Sequence, residues 1–287
     1  MTESQAEAGE YDTLIYEVPV PKVARIIVNR PEKRNAQSYH MLYELNLAFD
    51  RAAQDDDISV IVLAAAGQDF SSGHDLKDTD RLQAFVDFDT VGTWCGFGCA
   101  GAEGRMGIEQ EVYLGLSERW RNIAKPTIAA VQGRCIGGGM QIIWPCDLII
   151  AADDASFRIN PVEMGVACAE FFHEPWELGP RKAKELLFTA DYFSAEEARQ
   201  LGMVNRVVPA AELQDYTLSL AERISRMQLF ALKLAKAAVN SAQDRMGRHD
   251  SLQVGFAYHQ LCHSHNQELF GIPADPTFMK AWGRVPK

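Results

Sequence analysis

Two glycine turns carry the residues of this chain best placed to do chemistry. Residues 131–147 read VQGRCIGGGMQIIWPCD, with three consecutive glycines, Gly137 to Gly139, between the apolar run Thr127 to Val131 and an apolar segment of helical length. A strand that turns through glycines into a helix leaves bare backbone N–H groups at the helix N-terminus, where negative charge is stabilised. If that charge develops on a carbonyl oxygen, the turn is an oxyanion hole. A second turn, Ser71-Ser72-Gly73-His74-Asp75, follows the apolar run Val60 to Ala66. Donors brought from two separate strand ends suit an enolate or a tetrahedral intermediate.

The elements that must position these turns alternate in type. Leu14 to Val28 holds two β-rich runs broken around Pro19-Val20-Pro21, and Ser38 to Ala53 carries a helical stripe at Leu42, Leu45, Phe49 and Ala52. Strand-like runs recur at Val60–Ala66, Thr127–Val131 and Leu148–Ala152, separated by glycine turns and helical stretches. That order predicts an α/β core with crossover helices. Arg181 to Gln200, Ala210 to Ala242 and Asp250 to Phe270 read as mostly helical, with more apolar surface than such a tail can bury alone. Residues 1–10, polar and acidic, read as a disordered tail, 11–209 as the core and 210–287 as a C-terminal helical region. No internal repeat interrupts this order.

Bulk composition narrows the function. The chain has 287 residues, 47% of them hydrophobic, enough for one sizeable core. With 28 basic against 39 acidic residues, net charge −11 and no basic cluster, it lacks the phosphate-neutralising surface that nucleic-acid binding requires. An anionic ligand must therefore be met by local positive groups. The six cysteines show no disulfide-scaffold density and read as reduced thiols. The polar N-terminus is unlike a signal peptide, and no apolar run approaches the ~20 residues of a membrane span. The expected location is the cytoplasm.

Several segments taken together resemble the enoyl-CoA hydratase/isomerase (crotonase) superfamily, from about Leu14 to the C-terminus. They are Asn29-Arg30-Pro31-Glu32-Lys33-Arg34-Asn35-Ala36, Phe70 to Leu76, Lys125 to Gly133, the triple glycine with Cys146-Asp147, and Ser194 to Val208. The resemblance implies a crotonase-like (ClpP/crotonase) spiral of β-β-α units followed by a helical trimerisation region, as a homotrimer or dimer of trimers. It also implies an acyl-CoA thioester as substrate, with coenzyme A belonging to the substrate and no separate cofactor or metal. The oxyanion hole would be the N–H groups of His74 and Gly138. Lys33, Arg34, Ala36, Ser72, Asp75, Leu76 and Lys77 would line the coenzyme A site. Lys33 and Arg34 could instead be a solvated charge pair; their place in the family pattern favours ligand contact. Lys233 and Lys236, on a helix of the C-terminal half, read as ordinary surface residues.

The acid/base positions depart from that pattern. Hydration of an enoyl thioester needs a carboxylate to take a proton from water and an acid to protonate Cα. Hydratases of the family place one glutamate two residues after the triple glycine and another four after a Phe ending the next strand. Here those positions hold Gln141 and, counted from Phe157, Pro161, and neither side chain can carry a proton. Residues 165–177, GVACAEFFHEPWE, offer Glu170, His173, Glu174, Glu177 and Cys168 in compensation. Isomerases of the superfamily carry a carboxylate about twelve residues beyond the Phe, and Glu170 is thirteen beyond Phe157. Its apolar flanks predict a raised pKa. His173 stands as a second base or as Glu170's partner, and Gln141 as a hydrogen-bonding group. Glu163 and Glu174 read as structural, and Glu109 and Glu111 as side chains that could enter the acyl pocket from the opposite side. The pattern favours isomerisation or another enolate reaction, or else a protein that binds acyl-CoA without turning it over.

Other motifs offer less. Gly96 to Gly101 matches GxGxxG but lacks the preceding strand and following βαβ context of a dinucleotide site. The stretch Asp78–Gly107 around it, with Phe85, Phe88, Trp94 and Phe97, reads either as a loop over a bulky acyl group or as a surface insertion. Cys95 and Cys99 with His263 and His265 do not form a zinc pattern, and both histidines read as helix-surface residues. His40 and His249 read as surface histidines without carboxylate partners.

Overall fold

The computed structural model describes residues 11–79 and 81–277. The tail expected at residues 1–10 lies outside the described residues.

Nine strands run through the described residues: β1 (Leu14–Val20), β2 (Val23–Val28), β3 (Val60–Ala65), β4 (Thr127–Val131), β5 (Arg134–Ile136), β6 (Leu148–Ala152), β7 (Ser156–Arg158), β8 (Tyr192–Ser194) and β9 (Arg206–Val208). Among the described residues eleven α-helices accompany them: α1 (Tyr39–Gln54), α2 (Ala84–Asp87), α3 (Ala102–Glu109), α4 (Leu116–Arg121), α5 (Gly138–Ile143), α6 (Glu174–Leu178), α7 (Pro180–Thr189), α8 (Ala195–Leu201), α9 (Leu213–Ser225), α10 (Leu229–Arg245) and α11 (Arg248–Phe270). A π-helical stretch, Gln110–Gly115, joins α3 to α4.

A six-stranded sheet has the order β1-β2-β3-β4-β6-β9, antiparallel only between β1 and β2. A second sheet of three short strands, β5-β7-β8, stands beside it. From β2 to β9 each main-sheet strand is followed by a crossover to its parallel neighbour, the spiral arrangement expected from the sequence. Side chains of a strand point alternately to the two faces. Accordingly, Ile61, Leu63 and Ala65 of β3 join one apolar cluster, while Val60, Val62 and Ala64 join another, which includes Leu213 and Ala221 of α9.

The glycine turn departs from the expected path. The apolar run Thr127–Val131 does not lead directly into the triple glycine; β5 intervenes and pairs with β7 in the second sheet. The run read as helical over 181–200 is likewise interrupted by β8, which pairs with Phe157 and its neighbours in β7. Short strands that complete a small sheet are fixed by tertiary pairing more than by local propensity.

Candidate active site

The two glycine turns meet. Ser71 donates its N–H to Arg134 and accepts from Ile136, so the end of the β3 turn lies along β5. Gly73 has φ +90°, and a Cβ there would come within 2.9 Å of the Ile136 carbonyl and 3.2 Å of the Gly138 nitrogen. Gly138 opens α5, and a Cβ on it would overlap the His74 ring. Glycine is required at both places by close approach, at Gly73 by its left-handed backbone as well. Among the described residues, neither the His74 nor the Gly138 backbone N–H donates to a backbone or side-chain acceptor. Two free donors thus stand side by side.

A polar chain leads away from them. The Gln141 amide nitrogen donates to Glu170, so its oxygen is the acceptor toward His74 Nε2, 3.1 Å away, and His74 Nε2 carries the proton. The imidazole of His74 stacks on Tyr113 with ring centroids 3.9 Å apart. Glu170, only 6% exposed, has its second oxygen 3.5 Å from His259 Nε2 and 3.9 Å from His74 Nδ1. Burial opposes the charge on Glu170, but the positive fields of His259 and His74 overcome it and hold the carboxyl below its usual range. The expected upward shift from its apolar flanks is therefore reversed. Burial also opposes a charge on His259, yet Glu170 and Glu109 lift its pKa to about 9. Behind it, Glu109 lies 3.3 Å from His259 and 3.5 Å from His263.

The other candidates separate from this cluster. His173 is buried, stacks on Phe171 and pairs with Glu177 at 3.1 Å; the partners of Glu170 are His259, His74 and Gln141 instead. The reason lies in the chain path: His173 sits at the N-terminus of α6 and turns along that helix. Glu174 is buried, with its pKa pushed up to about 7 by desolvation. Glu163 pairs with Arg158 at 2.9 Å. Glu111 accepts from the Tyr43 hydroxyl and the backbone of Val91 and Gly92, tying down the long loop, while Glu109 does face the cluster. Pro161 precedes a short 3-10 turn and brings no proton donor.

Positively charged groups lie on the turn beside the two free N–H donors. Arg34 accepts from the Ser72 N–H, Gly73 accepts from Gln37, and Gln37 accepts from Asp75, so residues 34–37 and 72–75 run side by side. Arg30 pairs with Asp75 at 3.0 Å. This brings the backbones of Lys33, Arg34, Ala36, Ser72, Asp75, Leu76 and Lys77 to one edge, with Lys33, Arg34, Leu76 and Lys77 exposed. Lys236 does not join them; it is held by Asp147 at 2.8 Å.

The loop around Gly96–Gly101 is packed through aromatic rings. Phe97 stacks on Phe85, Phe85 and Tyr39 meet edge to face, as do Tyr39 and Tyr113, and Tyr113 stacks on His74. Residues 84–101 hold α2 but no strand, so the GxGxxG match has no Rossmann framework.

Sequence reasoning missed His259, His263 and Tyr113 as members of the cluster. The i,i+4 pair His259/His263 was the available signal, but nothing in the sequence placed α11 against Glu170. His265 is exposed as expected, whereas His263 turns inward to Glu109. His40 faces Asp12 and Glu44, each 3.3 Å from its Nε2, because the segment before β1 passes the start of α1.

Comparison with known proteins defines the class. The sequence matches the enoyl-CoA hydratase/isomerase family over residues 21–92 and 98–268, and the chain belongs to that family. It is 40% identical to the Mycobacterium tuberculosis protein named "Putative enoyl-CoA hydratase EchA13" over 267 residues, spanning 91% of this chain and 84% of that one. A crystal structure of a probable enoyl-CoA hydratase from Mycobacterium smegmatis is 44% identical, with TM-score 0.82 over 91% of this chain and 99% of that one. A monofunctional enoyl-CoA isomerase from M. smegmatis is 26% identical, with TM-score 0.63 over 81% of this chain and 94% of that one. Among the described residues no helix is long and apolar enough to cross a membrane.

Proposed function

We propose that this protein binds an acyl-CoA thioester, polarises its carbonyl with the N–H groups of His74 and Gly138, and moves a proton with Glu170. The observation that carries this reading is the buried Glu170 carboxylate, held by Gln141 and His259 beside the two oxyanion donors. Proton removal next to the thioester carbonyl places negative charge on its oxygen, where the two N–H groups stabilise the enolate. Return of the proton to a different carbon completes a double-bond shift, which needs only one proton carrier. Water addition by the two-glutamate route needs two, and Gln141 and Pro161 stand in their places. Isomerisation or another enolate reaction is therefore favoured over ordinary hydration. Gln141 acts by hydrogen bonding, not by proton transfer.

Lys33, Arg34 and Lys77 supply local charge for the coenzyme A phosphates. The assembly proposed is a homotrimer or dimer of trimers, and six free cysteines fit a reducing cytoplasm. Coenzyme A enters as part of the substrate.

The test offers the enzyme 3-enoyl-CoA thioesters and crotonyl-CoA in parallel, following enoyl-thioester absorbance. Gain of absorbance from a 3-enoyl substrate supports the isomerase reading. Rapid loss from crotonyl-CoA with formation of 3-hydroxybutyryl-CoA contradicts it. Tight CoA binding without turnover of any thioester would point instead to the non-catalytic acyl-CoA-binding reading, which the loss of both glutamates favours.

A further inference from the structure

We infer that Glu109, His259 and His263 form a binding site for a divalent transition-metal ion of the Zn²⁺ class, joining α3 to α11 behind Glu170. His259 and His263 are four residues apart on α11 and so share one helix face. Glu109 ends α3 where the helix widens into its π-helical stretch, a device that redirects side chains locally. One ligand atom from each of the three lies within 4.8 Å of the other two. The Glu109 oxygens are 3.3 Å from His259 Nε2 and 3.5 Å from His263 Nε2. Ligand atoms around a tetrahedral Zn²⁺, with bonds of about 2.0–2.1 Å, stand roughly 3.3 Å apart, close to the spacing between each histidine Nε2 and a Glu109 oxygen.

The surroundings orient the ligands as metal sites require. His259 Nδ1 lies 2.6 Å from the Cys168 carbonyl oxygen, and His263 Nδ1 lies against the Pro273 carbonyl oxygen. A carbonyl can only accept, so each Nδ1 carries its proton and each Nε2 turns toward Glu109. Hydrogen bonds of this kind fix the ring and tautomer of a metal-bound histidine. The Gln260 amide donates to Glu109, fixing the carboxylate as well. His259 is 4% exposed, and its Nε2 faces the carboxylates of Glu109 and Glu170 at 3.3 and 3.5 Å. Two imidazoles and one carboxylate suit Zn²⁺ or Co²⁺, whereas Mg²⁺ and Ca²⁺ prefer all-oxygen shells. Three protein ligands leave a fourth position for water or for Glu170, whose oxygen is 3.5 Å from His259 Nε2. The sequence alone implied no metal, because its ligands come from helices 150 residues apart in the chain.

The rival is an ion-pair network without metal, and calorimetry separates the two. The full-length protein, stripped with a chelator, is titrated with Zn²⁺ and with Co²⁺, with Mg²⁺ as control. The proposal expects one saturable equivalent of Zn²⁺ per chain, a rise in melting temperature, and weakening of at least ~100-fold in Glu109→Gln and in His263→Gln. The double variant Cys95→Ser/Cys99→Ser, which removes the two exposed thiols, keeps the site. His263, at the edge of the cluster, is the variant least able to disturb folding, and its melting curve without metal checks that it folds. Absence of a saturable equivalent, unchanged affinity in folded His263→Gln, or loss of binding in the cysteine variant each overturns the proposal.

Discussion

Gly138 shows how close packing can demand the absence of a side chain. Any Cβ there would overlap the His74 ring and come within 2.8 Å of the Gln37 amide oxygen. Gly138→Ala should therefore displace His74 and misalign both donors while leaving the apolar core untouched. A fall in kcat of about 10²–10³, with little change in melting temperature, is the expected result of steady-state assays. The sequence made this turn legible because close backbone approach demands glycine, and it singled out Glu170. It did not reveal what Glu170 touches. Its flanks Ala169, Phe171 and Phe172 suggest a neutral acid, but His259 arrives from a helix some ninety positions later in the chain and reverses the shift. Local sequence reports burial; it does not report which charge a distant helix brings.

Elements differ in the same way. β3, β4 and β6 were readable as apolar runs because parallel strands are covered on both faces. β5, β7 and β8, three residues each, carry too little pattern to read. Helix α1 announced itself by its stripe and by Ser38, whose hydroxyl accepts from the Met41 N–H. The start of α6 holds a buried charge problem. Glu174 has its pKa raised from 4.5 to about 7, so between these values the folded protein keeps a proton that the unfolded chain has released. Its contribution is present below pH 4.5 and is lost as pH rises toward 7. Glu174→Gln, which cannot ionise, should match the wild type near the lower pH and exceed it at pH ~7.5 by on the order of 3 kcal/mol. Denaturant melts at the two pH values check this, and a pH-independent difference would contradict it.

For the whole molecule, the decisive feature is α10. None of its 17 residues is buried within the chain, yet it carries Phe230, Leu234 and Val239 more than half exposed, and nearby α11 exposes Tyr258 and Leu261. Exposed apolar surface on this scale marks an interaction face. Sedimentation velocity should show a homo-oligomer for the wild type and a folded smaller species for Phe230→Asp/Leu234→Asp; an unchanged mass for the variant would refute assembly through α10. The net charge of −11 makes the exposed Lys33, Arg34 and Lys77 edge a local exception suited to an anionic ligand.

The role of Glu170 is tested most directly by incubating an acyl-CoA thioester with the enzyme in D₂O and following deuterium entry next to the carbonyl by NMR. The wild type should incorporate solvent deuterium, while Glu170→Gln, binding coenzyme A as before, should lose incorporation by at least ~10²-fold. Incorporation at the wild-type rate in Glu170→Gln would contradict the proposal that this carboxylate carries the proton.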